Sequence, residues 1–296
     1  MPIRKAAITA AGLGTRLLPS TKEMPKEMLP LFCKDLDDKI SLKPILQLIF
    51  EQLYSLGFRD FCFIVGRGKR GIEDHFTPDH EFIQQLNSKG RNKIAFNLEA
   101  FYDMVETSTI IWVNQPEPKG FGHAVLQAKT FIGNEPSLVC AGDTYIISKN
   151  GDHIKRLVKA HFRYKADATL LLQQMESPRG YGIAEVEKVE DGVLNVKNVV
   201  EKPDKPPSNL AIMPIYIFTP TIMKALEKTQ PGFGGEIQLT DGIQKLIGTN
   251  RKVYAVKMRE DEIRLDIGTP QTYWEALSLS YKYFKGKPNV KPHHKK

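Results

Sequence analysis

Residues 11–30 read AGLGTRLLPSTKEMPKEMLP and set Gly12 and Gly14 beside Arg16, Lys22 and Lys26. Glycines let a backbone approach a phosphate closely, and free N–H groups then cradle it. Arg16 and Lys26 would add charge-assisted hydrogen bonds to phosphate oxygens. Two familiar phosphate motifs are absent. Leu17 stands where the dinucleotide fingerprint needs its third glycine. The P-loop needs four residues between its glycines and a following Lys-Ser/Thr, whereas here one residue separates them and Thr15-Arg16 follows. Asp143 follows the apolar run SLVCA, and Asp266 sits in the apolar-flanked segment RLDIG. A carboxylate at a strand end is a good ligand for Mg²⁺, a hard ion that prefers oxygen and keeps waters.

The elements that must hold these groups follow from the apolar pattern. Ile3 to Thr9 is a short apolar run leading into the glycine loop, which predicts a buried strand. Pro44 to Leu56 predicts a helix, with Ile45, Ile49, Leu53 and Leu56 on one face and Gly57 to close it. Asp60–Val65, Thr109–Asn114 and Ser137–Ala141 read as further strands, with a helix from Gly122 to Phe131. That alternation implies a mainly parallel sheet with helices on both faces. After about residue 165 the texture changes. Ala168–Gln173, Gly182–Val189, Val193–Val200 and Ala211–Phe218 are strand-like with short turns, suggesting added antiparallel pairing. Helices at Pro220–Lys228, Glu236–Ile247 and Gln271–Phe284, with a strand at Val253–Val256, complete the pattern. The expected fold is α/β: a Rossmann-like mixed, mainly parallel sheet flanked by helices, with an added antiparallel region.

Composition narrows the class. Of the net charge of +8, six units come from lysines between Lys282 and Lys296, a stretch without acids, leaving +2 for the rest. A body that near neutral argues against a dedicated nucleic-acid binder, which carries a basic face on the folded domain. No stretch reaches the ~18 apolar residues of a membrane span. Cys33, Cys62 and Cys140 have no metal spacing, and an odd count without a disulfide framework fits a reducing, cytoplasmic setting.

The string AAGLGTRLLPSTKEMPKEMLP resembles the signature of prokaryotic-type UTP–glucose-1-phosphate uridylyltransferases (UDP-glucose pyrophosphorylases), within the sugar-phosphate nucleotidyltransferases. Further strings agree in order: GRGKRGIEDHF, QPEPKGFGHAV, AGD, GYGIAEV, VVEKPDKPPSNLAI, GGEIQLTDGI and LDIGTP. The resemblance covers nearly the whole chain up to the basic tail.

The resemblance implies transfer of a uridylyl group from UTP to α-D-glucose 1-phosphate, giving UDP-glucose and pyrophosphate, with Mg²⁺. A phosphate monoester has a second pKa near ~6, so the attacking phosphate is already mostly a dianion and needs no general base. Catalysis then reduces to positioning two polyanions and neutralising charge. By resemblance, Arg16, Lys26 and Lys202 are the catalytic cations, and Ala11, Gly12, Gly14, Glu27, Gln115 and Gly120 bind the nucleotide. The amide of Gln115 offers both donor and acceptor to the edge of uracil. Gly182, Glu201 and Lys202 bind the sugar phosphate, and Asp143 and Asp266 hold the metal. His123, at a helix start with no evident partner, reads as a packing residue. One domain is expected over 1–285, with a nucleotide half at about 1–145, a sugar-binding half at about 146–270 and a C-terminal helix at about 270–285. A basic disordered tail, 286–296, follows. A homodimer or homotetramer is expected.

Two departures from the family pattern stand out. The usual Gly-Asp-Asp is Gly142-Asp143-Thr144 here, so one adjacent carboxylate is missing. Pro214-Ile215-Tyr216 replaces a common Gly-Arg-Tyr. Transfer of a thymidylyl group, or use of both UTP and dTTP, remains an alternative, because one methyl distinguishes the bases and a pocket gains only about 1–3 kcal/mol from it. A non-catalytic sugar-nucleotide-binding subunit is a further alternative, opposed by the joint presence of Arg16, Lys26, Asp143, Lys202 and Asp266.

Overall fold

The computed structural model describes residues 2–286; the expected tail from 287 onward lies outside the described residues. In chain order the elements are β1 (Lys5–Ala10), β2 (Pro30–Lys34), β3 (Ile40–Pro44), α1 (Ile45–Ser55), β4 (Asp60–Val65), α2 (Arg70–His75), α3 (His80–Ser88), α4 (Asn92–Glu106), β5 (Thr109–Asn114), α5 (Phe121–Gln127), α6 (Lys129–Ile132) and β6 (Ser137–Ala141). There follow β7 (Thr144–Ile147), α7 (Asp152–Arg163), β8 (Ala168–Gln174), β9 (Gly182–Glu190), β10 (Val193–Glu201), β11 (Leu210–Phe218), α8 (Thr221–Glu227), α9 (Leu239–Gly248), β12 (Val253–Lys257), β13 (Ile263–Asp266) and α10 (Pro270–Phe284).

Nine strands make one sheet in the order β5-β4-β1-β6-β11-β8-β12-β10-β9. The first four run parallel to one another. Beyond β6 the sheet turns mixed: β11 is antiparallel to β6 and β8, β12 is parallel to β8, and β10 is antiparallel to both β12 and β9. The α/β class and the added antiparallel region are thus as expected.

The period of two along a strand explains why the first strands are apolar throughout. Ala6, Ile8 and Ala10 of β1 join Phe61 and Phe63 in one core layer, while Ala7, Cys62 and Ile64 face the other. Both layers are sealed, so these strands are buried on both faces. Pro44 ends β3 and leads into α1, whose Ile45, Ile49 and Leu53 are buried as the pattern requires.

Three differences from the expected elements affect the site. Residues 236–238 are extended rather than helical, because Ile237 exchanges backbone hydrogen bonds with Lys119 and Gly122 at 2.8 and 2.9 Å. Helix α9 therefore begins at Leu239. The helix expected at 122–131 is two, α5 and α6. A small separate sheet pairs β7 with β13 and sets Asp266 opposite Thr144.

Candidate active site

A cavity of about 550 Å³ opens at the C-terminal ends of β1 and β6 and extends to β9, β10, β11 and β13. This is where an open α/β sheet leaves room for a ligand. Its lining includes Ala11, Gly12, Gly14, Arg16, Lys26, Glu27, Gln115, Gly120, Asp143, Gly182, Glu201, Lys202 and Asp266. Every site residue expected from the sequence is therefore gathered in one space, from strand ends far apart in the chain. Lys22 is not among them; its exposed side chain lies 3.7 Å from Glu23.

The loop after β1 supplies the first wall. Gly14 sits at φ 66° and opens a short 3-10 turn, Thr15–Leu17, that carries Arg16 outward. A left-handed residue is cheapest as glycine, and a Cβ there would meet Thr21 at 3.2 Å. Arg16 is exposed and makes no ion pair among the described residues. Lys26 is half-buried and bonds to the carboxylate of Asp143. Burial works against its charge, but Asp143, Glu27 and Asp266 more than reverse this and hold its pKa above the ordinary lysine value.

Glu27 is 1 % exposed, and its carboxylate accepts from Lys69 Nζ at 2.8 Å. Burial pushes its pKa up, and the amines of Lys69 and Lys26 oppose the rise. The carboxylate expected to reach a nucleotide is thus engaged with a residue that the sequence reading had left unassigned. Lys69 lies in GRGKRGIEDHF, and an internal lysine beside glycines was the only available signal.

Asp143 lies in the turn between β6 and β7, two residues past the end of β6, and Asp266 ends β13. The Thr144 hydroxyl lies 3.4 Å from one and 3.3 Å from the other, so the residue in place of the second aspartate bridges the two. Burial and then the Asp143 charge raise the Asp266 carboxyl above its usual range. Among the described residues, no group of three or more His, Cys, Asp or Glu side chains is placed to hold a metal.

On the far wall, Glu201 accepts from Thr240 Oγ1 at 2.6 Å and lies 3.3 Å from Lys202 Nζ. Lys202 sits at φ 41°, an uncommon conformation for a side-chain-bearing residue, held by its N–H donating to Tyr181 O at 3.1 Å. A Cβ on Gly182 would come within 2.9 Å of Thr240 Oγ1 and 3.1 Å of Glu201 Oε2, so a side chain there would have to displace these two groups. Gly120 is crowded in a similar way. A Cβ there would meet the Glu236 Cβ and the Ile237 carbonyl oxygen at 2.7 and 2.8 Å.

Arg264 was missed by the sequence reading. It lies two residues before Asp266 on β13, so both side chains take the same face, and both line the cavity. Its guanidinium donates to Tyr181 Oη at 2.9 Å and reaches Met213 Sδ at 3.6 Å. At the second departure, Pro214 lines the cavity, while Ile215 is buried and pairs with Cys140.

Residues 5–282 match the nucleotidyl transferase family. The chain belongs to that family. Among its members, the UTP–glucose-1-phosphate uridylyltransferase of Bacillus subtilis is 43% identical over 248 residues, covering 82% of this chain and 80% of the relative. That of Pseudomonas aeruginosa is 35% identical over 284 residues, covering 94% and 96%. The solved structure of a UDP-glucose pyrophosphorylase complexed with UDP-glucose superposes with a TM-score of 0.80 at 33% identity, covering 95% of this chain and 99% of that one. This nucleotidyl transferase therefore shares the length as well as the fold of its relatives.

Proposed function

We propose that the chain transfers the uridylyl group of UTP to α-D-glucose 1-phosphate, releasing pyrophosphate and forming UDP-glucose, with Mg²⁺ as the resident ion. The observation that carries this reading is the meeting of three groups in one cavity: the Arg16–Lys26 loop, the Asp143–Asp266 pair and Glu201–Lys202. The similarity to uridylyltransferases across nearly the full chain supports the choice of substrates.

The sugar phosphate attacks the α-phosphorus of UTP as a dianion, so no side chain has to remove a proton. The work of the protein is to hold two anions together and offset their charge. Lys202 and Glu201 take the sugar phosphate, the amine on phosphate oxygens and the carboxylate on sugar hydroxyls. Both Glu201 oxygens have internal neighbours, but a carboxylate has about four acceptor positions and keeps capacity. Arg16 and Lys26 take the triphosphate and the leaving pyrophosphate. Ala11, Gly12, Gly14, Gln115 and Gly120 frame the nucleotide, with Glu27 behind them. The nucleotide half is then about 1–145 and the sugar-binding half about 146–270.

The donor set fits Mg²⁺. Two carboxylates and a hydroxyl present only oxygen, and burial together with the Asp143 charge raises the pKa of Asp266, a penalty that a cation relieves. Mg²⁺ is held in many phosphate-transfer sites by one or two carboxylates plus substrate phosphates, which explains why no larger cluster is needed. When bound between Asp143 and Asp266, it would offset negative charge on the phosphates.

A cytoplasmic setting is part of the proposal, supported by three free, buried cysteines. No helix among the described residues is long and apolar enough to cross a membrane. A homodimer or homotetramer is proposed as well, supported by the exposed apolar side chains Leu36, Ile40 and Leu42 around the β2–β3 hairpin.

The test is pyrophosphate release with glucose 1-phosphate and each of UTP, dTTP, CTP, ATP and GTP. UTP should lead, with UDP-glucose as the second product. Leading turnover with a purine nucleotide, or none with any, would overturn the proposal.

A further inference from the structure

We propose that His123 is a positioning residue that fixes which atom of Gln115 meets the base, and thereby favours uracil over cytosine. The inference rests on the reading of Gln115 as a base contact.

Gln115 Nε2 lies 3.1 Å from the Gly120 carbonyl oxygen and 3.0 Å from His123 Nδ1. A carbonyl oxygen only accepts, so the amide atom facing it is the NH₂ group. Its second N–H then points to His123 Nδ1, which must be the unprotonated nitrogen of a neutral ring. The other ring nitrogen faces Gln127, whose Nε2 is 3.1 Å away. One neutral imidazole cannot accept at both nitrogens. Gln127 Nε2 also lies 3.2 Å from the His123 carbonyl oxygen, but Gln115 is buried against Gly120 whereas Gln127 is half-buried. Gln127 is therefore the amide that gives way: it turns its oxygen toward the ring, and the ring proton sits on Nε2.

Both N–H bonds of Gln115 are therefore used inside the protein. Its amide oxygen has no protein partner, yet the sealed-off polar side-chain atoms lacking one are Ser137 Oγ, His153 Nε2 and Gln173 Oε1 among the described residues. The oxygen of Gln115 is thus open, and Gln115 lines the cavity. It presents an acceptor and no donor.

Uracil offers an N3–H donor to such an atom, and thymine offers the same one. Cytosine has a bare lone pair at N3, which faces the amide oxygen unfavourably. A mismatched pair of acceptors leaves both unsatisfied, and sites built on one hydrogen bond discriminate strongly against the analogue that cannot make it. His123 acts through Gln115: without an acceptor at Nδ1, the amide loses one of its two anchors and can present its NH₂ to the base at lower cost.

The experiment compares the wild-type enzyme with His123→Phe, His123→Leu and His123→Asn, whose amide oxygen can stand in for Nδ1. The quantities are kcat/KM for UTP, dTTP and CTP at saturating glucose 1-phosphate, melting temperature, and ¹⁵N NMR of the imidazole in the wild-type protein. The expected result is a fall of about tenfold in the preference for UTP over CTP in the Phe and Leu variants. The change should lie mainly in the KM for UTP, with dTTP following UTP and Asn restoring the preference. An unchanged UTP-to-CTP ratio in a folded Phe or Leu variant, or an equal fall for all three nucleotides, would overturn the proposal. So would an Nδ1-protonated ring in the NMR spectrum, which needs no turnover. A wild-type protein inactive on every nucleotide would instead remove the proposed function, leaving the tautomer to be read on its own.

Discussion

Lys26 and Asp143 are bonded to each other across 117 positions of sequence, joining the loop after β1 to the turn after β6. The pairing places the amine expected on phosphate oxygens against the carboxylate expected on the metal. On the proposed function, binding of UTP with Mg²⁺ would exchange this one ion pair for two: phosphate on Lys26 and the cation on Asp143.

Asp143→Asn tests this exchange. Activity should fall by about 10²–10³, in the range seen when one preorganised electrostatic contact is removed, and half-saturation by Mg²⁺ should shift to higher concentration. A Mg²⁺ titration identical to wild type would count against metal ligation by Asp143.

Lys202→Met should lower turnover by about 10²-fold and raise the KM for glucose 1-phosphate, since the charge on that phosphate loses its partner. The side chain is reached from a left-handed backbone anchored on Tyr181, so its place is set by the fold rather than by a flexible loop. Steady-state kinetics with each substrate varied in turn would check it, and near-normal constants would remove the assigned role.

The sequence made the parallel half of the fold legible because β1, β4 and β6 are apolar on both faces, with no competing pattern. The β2–β3 hairpin, helices α2 to α4 and α7, and the β7–β13 pair were not identified. On β3 the apolar members of the alternating Ile40-Ser41-Leu42-Lys43, Ile40 and Leu42, are the exposed ones, so that short pattern does not point to the core. The site residues were legible as types in known strings, and all of them line one cavity. Their partners were not. Lys69 against Glu27, Thr144 between two aspartates and His123 against Gln115 depend on contacts between distant segments.

Gly120→Ala should destabilise the protein by at least about 2 kcal/mol. The residue sits at φ 102°, ψ 173°, a region essentially reserved for glycine. Its new Cβ would also be 2.7 Å from that of Glu236. Urea unfolding would measure the loss, and a midpoint equal to wild type would contradict the packing assigned to residues 236–238.

Stability should fall as pH drops below about 6.5. Burial lowers the pKa of His75 to about 4, that of His161 to about 4 and that of His153 to about 3. The unfolded chain takes up protons near 6.5 that the folded one refuses, so acid favours unfolding. Each group contributes up to about 1.4 kcal/mol per pH unit between 6.5 and its folded value. His153 is fully buried, with Nδ1 2.6 Å from Ser148 Oγ. The urea midpoint should therefore decline from pH 7 to pH 5, less steeply in His153→Gln. A flat profile over that range would contradict these assignments.

The most direct measurement is a crystal structure of the protein with UDP-glucose and Mg²⁺. The expected result is uracil at Gln115, glucose at Gly182 and Glu201, and the diphosphate between Lys202 and the ion on Asp143 and Asp266. UDP-glucose seated outside this cavity, or inside it with the uracil at the Glu201 end, would contradict the account.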